Sequence, residues 1–358
     1  MKPISGHYAG RQVVRWGIIG CGDAAERLSG PVLQKADNSA LVAVMRRTAA
    51  LAEDFARRHG VPRWYSDGDA LINDPDVDAV YIATPPETHA HYALKVAAAG
   101  KPAYVEKPMA RNTVECDAMI KAFARAGLPL FVAYYRRRMP RFLTIEELIK
   151  TGTLGRITGV DYHLAQPTHR GPQSWYVDAT AGGAGHFLAT GSHVLDLLDY
   201  LFGPLTEVSG LAANRGGAYD TEDSVALSFR TTGGIPGAIL CNYASGISDD
   251  CMRIAGTEGE LTFSMFSPDP LRLVTAKGVQ LMDCPYPPHA QQPIIQSIID
   301  DLRGVGVCPS TGESARRTSR ILDQVLAAYY GGRDDNFWTR PQTWPGRTLR
   351  PAGSGHQD

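Results

Sequence analysis

Up to about residue 135, short apolar runs alternate with stretches whose apolar residues recur at helical spacing. The runs at 13–19, 40–45, 64–65, 79–82, 103–105 and 130–133 read as strands, and the stretches at 24–34, 48–58, 67–73, 88–99 and 113–125 as helices. Strand–helix alternation of this kind predicts a doubly wound parallel sheet. A helix over 140–150 leads away from it. Beyond residue 155 strands dominate, at 157–164, 206–212, 223–229, 237–243, 252–255 and 271–274, separated by turn signals such as Thr232-Gly233-Gly234. Close spacing predicts one large, mainly antiparallel open sheet. One helix at 187–201 interrupts it, and helices near 294–303 and 313–330 follow. The expected fold is therefore α/β: a Rossmann-like domain over 1–135, an α+β domain over 136–330 and a Pro-, Gly- and Arg-rich arm or tail over 331–358.

Composition narrows the function classes. A formal net charge of −1 over 358 residues gives no global attraction to nucleic acid or to an anionic membrane. The six cysteines are scattered without a C-x-x-C pair, which points to free thiols in a reducing compartment and to no metal site. The opening stretch lacks an apolar core of signal-peptide length, and no apolar run nears the roughly 20 residues that span a bilayer. The expectation is a cytoplasmic protein with a small-molecule partner.

Gly20-Cys21-Gly22-Asp23-Ala24-Ala25 follows the first strand and opens a helix, matching the dinucleotide fingerprint G-x-G-x-x-A in its required setting. Helix-start N–H groups there suit phosphates. The second strand ends Val44-Met45-Arg46-Arg47-Thr48, with no acid for a ribose 2′-hydroxyl but two guanidinium groups that match a 2′-phosphate. The alternative is a pair of solvated arginines at a helix start, where positive charge is unfavourable. NADP(H) is thus the expected cofactor, with NAD(H) second.

Further along stand Ile82-Ala83-Thr84-Pro85-Pro86 with His89, then Tyr104-Val105-Glu106-Lys107-Pro108, then Gly182-Gly183-Ala184-Gly185-His186 and Gly191-Ser192-His193. Together these resemble the Gfo/Idh/MocA family, the glucose–fructose oxidoreductase and inositol dehydrogenase group, over nearly the whole chain apart from the tail. The resemblance implies a dehydrogenase with Lys107 of the E-K-P tripeptide as acid/base and His193 assisting. It also implies cofactor contacts from Thr84, Pro85, His89, Glu106 and Arg137, a position for Tyr135 near the nicotinamide end, a Lys107–Pro108 bond that is often cis, and a homodimer or homotetramer built through the second sheet. Independently, alcohol oxidation moves a hydride to the nicotinamide and a proton off oxygen, and a lysine with a lowered pKa is a workable base.

Two departures stand out. Where the family helix reads D-x-G-x-H, this chain has Ala189 before His193, and Tyr176 stands where similar relatives carry arginine. Both changes remove charge from the expected substrate side, whose other candidates are His163, Gln166, Trp175 and His186. The default substrate is a carbohydrate or cyclitol. Ala189 also fits a relative diverted to secondary metabolism, reducing C=N or C=C or using bound nicotinamide transiently in a lyase or epimerase. A non-catalytic NADP-binding regulator is the rival of another class, and Lys107 and His193 count against it. Of the arginines in Arg136-Arg137-Arg138-Met139-Pro140-Arg141, one is expected near the cofactor and the others in solvent.

Overall fold

A computed structural model describes residues 6–168 and 175–349. The chain forms two compact units, Met1–Met139 with Pro287–Arg316, and Pro140–Tyr286 with Arg317–Asp358. In the first, β1 (Val14–Ile19), β2 (Ser39–Met45), β3 (Arg63–Tyr65), β4 (Ala79–Ile82), β5 (Ala103–Val105) and β6 (Leu130–Val132) make a parallel sheet in the order β3-β2-β1-β4-β5-β6. The chain winds outward from β1 to β3, then returns to β4 on the other side of β1. Neighbouring connections therefore leave β1 and β4 on opposite faces, and a crevice opens at their carboxyl ends. All four residues of β4 are buried, as expected for a strand covered on both faces.

One face of this sheet packs Trp16, Ile18, Tyr81 and Phe131 with Phe55 and with Ile294, Ile295, Ile298, Ile299 and Leu302. The last five lie on the helix Gln292–Arg303. A linear division of the chain at residue 135 does not anticipate this return of the late segment 287–316. The other face packs Val80, Ile82 and Val105 against Val96, Met119 and Phe123.

The second unit carries β7 (Ile157–Ala165), β8 (Leu205–Ala213), β9 (Ser224–Thr231), β10 (Pro236–Asn242), β11 (Asp249–Gly256), β12 (Gly259–Phe263), β13 (Leu271–Thr275) and β14 (Gly278–Met282), in the order β14-β13-β12-β11-β7-β10-β9-β8. Only the β7–β10 pairing is parallel. Strands β12 and β14 were not among the expected elements: the first starts on a turn glycine, and the second is an exposed edge with no buried face. The helix expected at 187–201 is a π-helical turn, Phe187–Gly191, running into the α-helix Ser192–Phe202. Residues 331–349 cap their own unit: Phe337 and Trp344 pack on Tyr330, and Trp344 Nε1 donates to the Phe337 carbonyl at 2.9 Å. Among the described residues no helix is long and apolar enough to cross a membrane.

Candidate active site

The β1 carboxyl end turns at Gly20, whose φ of +93° favours glycine. A Cβ there would also lie 2.8–2.9 Å from Thr84 and Ala83 atoms. The turn is stitched to both neighbouring strands: Gly20 and Cys21 N–H groups donate to the Met45 carbonyl at 2.9 and 3.1 Å, and Ala83 N–H donates to the Ile19 carbonyl at 2.8 Å. A cavity of about 470 Å³ opens beside it, lined by Gly20, Gly22, Arg46, Arg47, Thr48, Thr84 and Pro85, all anticipated, and also by Met45, Ala83, Glu87, Thr88, His91 and Tyr92. Gly22 faces open space, with no atom within 4 Å of a built Cβ. These features fit a dinucleotide: bare backbone beside a helix start for the pyrophosphate, and guanidinium groups at the far strand end.

Three fingerprint residues lie elsewhere. Cys21 is buried in the core, where burial pushes its thiol up to about 11, so only its backbone is available. Asp23 and Ala24 do not line the cavity. The helix that Gly22 opens passes into a π-helical turn, Ala25–Ser29. Its Glu26 is pulled down to about 2 by hydrogen bonds from Arg58 and His59.

Glu106, expected as a cofactor contact, is a buried post. It accepts the Tyr81 hydroxyl at 2.6 Å, the Gln291 amide at 2.7 Å and the Lys107 backbone N–H at 3.1 Å. Tyr104 donates to the same Gln291 at 3.0 Å and stacks on Tyr81. The carboxylate thereby fixes the main chain at Lys107. His89 is likewise fully buried, its ring nitrogens facing the carbonyls of Pro108 at 3.0 Å and Thr84 at 2.7 Å. Burial holds the imidazole pKa down against those carbonyls. His89 therefore ties the Thr84 loop to the Lys107–Pro108 loop and does not line the cavity. The Lys107–Pro108 bond is cis. Burial of the Lys107 ammonium lowers its pKa to about 8; Arg136 pushes the same way and Glu106 opposes.

The basic run is not a solvated one: Arg141 is fully buried and donates to the Asp269 carbonyl at 2.6 Å. Arg136 and Arg137 are 5% and 3% exposed in the turn Tyr135–Arg138. Arg137 donates to the Pro309 carbonyl at 3.2 Å, Arg138 to that of Val307 at 3.0 Å, and Arg136 lies over the ring of half-buried Tyr135. Sequence cannot display these carbonyl acceptors, because they come from the returning segment.

In the second unit, Gly182–Gly185 is pinned from two sides. Gly185 N–H donates to both carboxyl oxygens of buried Glu222 at 3.1 and 3.0 Å; Glu222 also accepts the Tyr330 hydroxyl. A Cβ on Gly185 would collide with the Glu222 carbonyl. Arg333 donates to the Gly183 carbonyl at 2.7 Å. Glu222→Ala is expected to lower unfolding free energy by roughly 2–6 kcal/mol, since it strips two buried donors of their acceptor. Urea denaturation measures this, and a change under about 1 kcal/mol would refute the anchoring role.

His186 follows that loop. Its ring lies 5.4 Å from Tyr243 and 6.0 Å from both Tyr176 and Tyr219, while Trp175 stacks on Tyr176 at 3.9 Å. Thr190 and Tyr243 share a hydrogen bond of 2.6 Å. Ala189 and His193 are 2% and 4% exposed, and the His193 ring meets Phe266 edge-on at 6.3 Å. The step from Ala189 to His193 crosses the junction of π turn and α-helix, so a uniform 3.6-residue wheel does not describe it. His163 is not among these residues. It pairs with Asp249 at 2.7 Å on the open sheet face, whereas Tyr162 and Leu164 beside it point into the core. Among the described residues no cluster of three His, Cys, Asp or Glu side chains is placed to hold a metal.

Residues 14–134 match an oxidoreductase family with an NAD-binding Rossmann fold, Gfo/Idh/MocA, and residues 142–262 match that family's C-terminal domain. The chain belongs to this family. It is therefore an oxidoreductase with an NAD-binding domain. Among its relatives, Oxidoreductase P35 of Formosa agariphila is 32% identical over 317 residues, 87% of this chain and 97% of the relative. The trans-1,2-dihydrobenzene-1,2-diol dehydrogenase of Sus scrofa is 29% identical over 248 residues, 69% of this chain and 72% of the relative. In fold, a levoglucosan dehydrogenase solved in complex with NADH aligns with a TM-score of 0.80 at 23% identity, covering 88% of this chain and 96% of that one.

Proposed function

We propose that this family member is an NADP(H)-dependent dehydrogenase of a ring alcohol, with Lys107 as the acid/base and His193 assisting. The observation that carries the reading is the position of Lys107 directly after β5, its main chain held by Glu106 and its ammonium pKa lowered by burial to about 8. An amine in that range serves as base in one direction and as acid in the other near neutral pH. Glu106 and His89 support it by fixing the main chain on either side. Bound nicotinamide would supply the hydride chemistry. Gly20, Gly22, Thr84 and Pro85 would hold the dinucleotide, with Arg46, Arg47 and Thr48 at its 2′-phosphate. Arg46→Ala is expected to weaken NADPH binding by about 1.5–3 kcal/mol, the worth of a charged hydrogen bond, while sparing NADH. Fluorescence titration with both coenzymes checks this; equal losses for both remove the 2′-phosphate argument.

For substrate, relatives named for a dihydrobenzenediol and for levoglucosan point to alcohols on a ring. The aromatic surroundings of His186 and the methyl group of Ala189 suit a ring poorer in hydroxyls than a free sugar or inositol, because buried polar groups need partners. Ala189 also supports the second reading, a reaction that recycles its nicotinamide. Self-association through the second sheet is part of the proposal. Its open face has a groove lined by Ser209, Leu211, Ala226, Ser228 and Leu240, with Leu211 63% and Leu240 47% exposed. Light scattering should find an oligomer that Leu240→Lys weakens; a wild-type monomer would end this part of the proposal.

A further inference from the structure

Strands β12 and β13 are joined by Ser264-Met265-Phe266-Ser267-Pro268-Asp269-Pro270, a short loop whose backbone is held by side chains from elsewhere in its unit. Four donors converge on the carboxylate of Asp250 in β11. The Tyr162 hydroxyl at 2.9 Å and the Met265 N–H at 3.1 Å meet Oδ1, while the Phe266 N–H at 2.8 Å and the Ser264 hydroxyl meet Oδ2. Burial, and then the Asp250 carboxylate itself, raise the Tyr162 pKa far above that of a free phenol, so this hydroxyl stays protonated. Ser264 Oγ in turn accepts the Ser267 N–H at 2.7 Å. Arg141, fully buried, donates to the carbonyls of Ser264 at 3.4 Å and Asp269 at 2.6 Å, near the two ends of the loop. Tyr286 donates to the Met265 carbonyl between them at 3.2 Å. Met265 is fully buried, whereas Phe266 is half-buried and meets the ring of His193, with 6.3 Å between centroids and 71° between planes. That spacing and angle are those of an edge-to-face aromatic pair. A satisfied polar network of this kind rigidifies the backbone it holds.

We propose that Asp250 is a positioning residue for His193, acting through the Ser264–Phe266 backbone and the Phe266 ring. This deepens the function proposed above and rests on its reading of His193 as the assisting group. An imidazole helps to move a proton only when the correct nitrogen faces the reacting oxygen, and its surroundings set that orientation. The Phe266 ring against the imidazole restricts rotation about the His193 Cβ–Cγ bond. It does so only while its own backbone is held, and the Phe266 N–H is held by the Asp250 carboxylate. Asparagine at position 250 has nearly the same shape but would turn its NH2 group towards one pair of donors. A hydroxyl can rotate to accept that group, whereas the N–H of Met265 or of Phe266 cannot, so one backbone donor would be turned away. The loop, and Phe266 with it, would then move off the imidazole.

The experiment uses the full chain with isotope-labelled histidine and compares wild type, Asp250→Asn, Phe266→Leu and Phe266→Tyr by nuclear magnetic resonance and by turnover of levoglucosan or trans-1,2-dihydrobenzene-1,2-diol. His193→Gln assigns the His193 ring signal by its disappearance and measures the weight of that side chain in turnover. In Asp250→Asn the His193 signal should move, because the ring current of Phe266 is displaced. In both Asp250→Asn and Phe266→Leu kcat should fall roughly tenfold, less than the hundredfold that a misplacement of about 1 Å can cost, with NADPH affinity unchanged. Phe266→Tyr keeps the ring and should keep the wild-type rate. A purely structural role for Asp250 would lower the folded fraction and leave the His193 signal of the folded molecules in place. That outcome overturns the proposal, as does wild-type kcat in Phe266→Leu, a variant that leaves the Asp250 network intact. Wild-type kcat in His193→Gln would remove the assisting role from the function reading, and the proposal with it. An impaired His193→Gln beside an unimpaired Phe266→Leu would leave that reading standing and overturn this proposal alone.

Discussion

Lys107→Met is expected to lower kcat by roughly 10²–10⁴ while NADPH affinity changes little. Methionine preserves the length and apolar stem of the side chain and removes its proton-carrying nitrogen. The backbone that Glu106 holds at residue 107 is untouched, as is the cavity that Gly20, Arg46 and Thr84 line. The loss should therefore fall on chemistry and spare coenzyme binding. Wild-type oxidation should rise along a limb near pH 8, because the neutral amine is the base, and reduction should fall along the same limb, because the ammonium is the acid. Both limbs should vanish in the variant. Steady-state rates on levoglucosan or on trans-1,2-dihydrobenzene-1,2-diol, beside coenzyme titrations, measure each part. Turnover near the wild-type rate would move the proton elsewhere, and His193→Ala would then be the deeper lesion.

Ala189→Asp should cost about 3–5 kcal/mol of stability at neutral pH, since the position is 2% exposed inside the π turn and the new carboxylate would be buried. Its folded-state pKa would stand above its unfolded value, so the folded state binds the extra proton. The penalty is then smallest in acid and grows as pH rises through the carboxylate range. Denaturation at about pH 5 and pH 7.5 tests that sign. On the catalytic side, the variant should lose kcat/KM for the native ring alcohol and gain slow turnover of polyols. Should the wild type already oxidise polyols well, with the aspartate leaving those rates alone, Ala189 carries no specificity and the recycling alternative loses its support.

The parallel sheet was readable because its inner strands are mostly buried and appear as largely apolar runs, while the partly buried edge β3 shows only as Trp64-Tyr65; ends are misplaced by a residue at most. Strand β14 escaped because it is a five-residue edge whose two alternating apolar side chains, Val279 and Leu281, are exposed and too few to stand out as a strand. The isoleucines of Gln292–Arg303 announced an amphipathic helix, but nothing local says which core receives it. Within the site, Gly20, Arg46 and Thr84 gather because each sits at a strand end beside the switch point, which topology alone dictates. Roles set by tertiary partners were not legible. His89 and Glu106 are posts that join separate loops and strands, His89 through the Pro108 carbonyl and Glu106 through the Tyr81 hydroxyl. The period of two along β7 does separate His163 from Tyr162 and Leu164, so its place on the open face was written in the alternation.

The most direct test of the dehydrogenase reading is a stoichiometry. Purified protein with NADP⁺ and levoglucosan or trans-1,2-dihydrobenzene-1,2-diol is followed by the absorbance of reduced nicotinamide, while the oxidised product is counted in parallel. The expected result is one reduced coenzyme formed for each oxidised product, from a reaction that stops when NADP⁺ is exhausted. Substrate converted continuously with no net change in coenzyme would contradict it and establish the recycling reaction in its place.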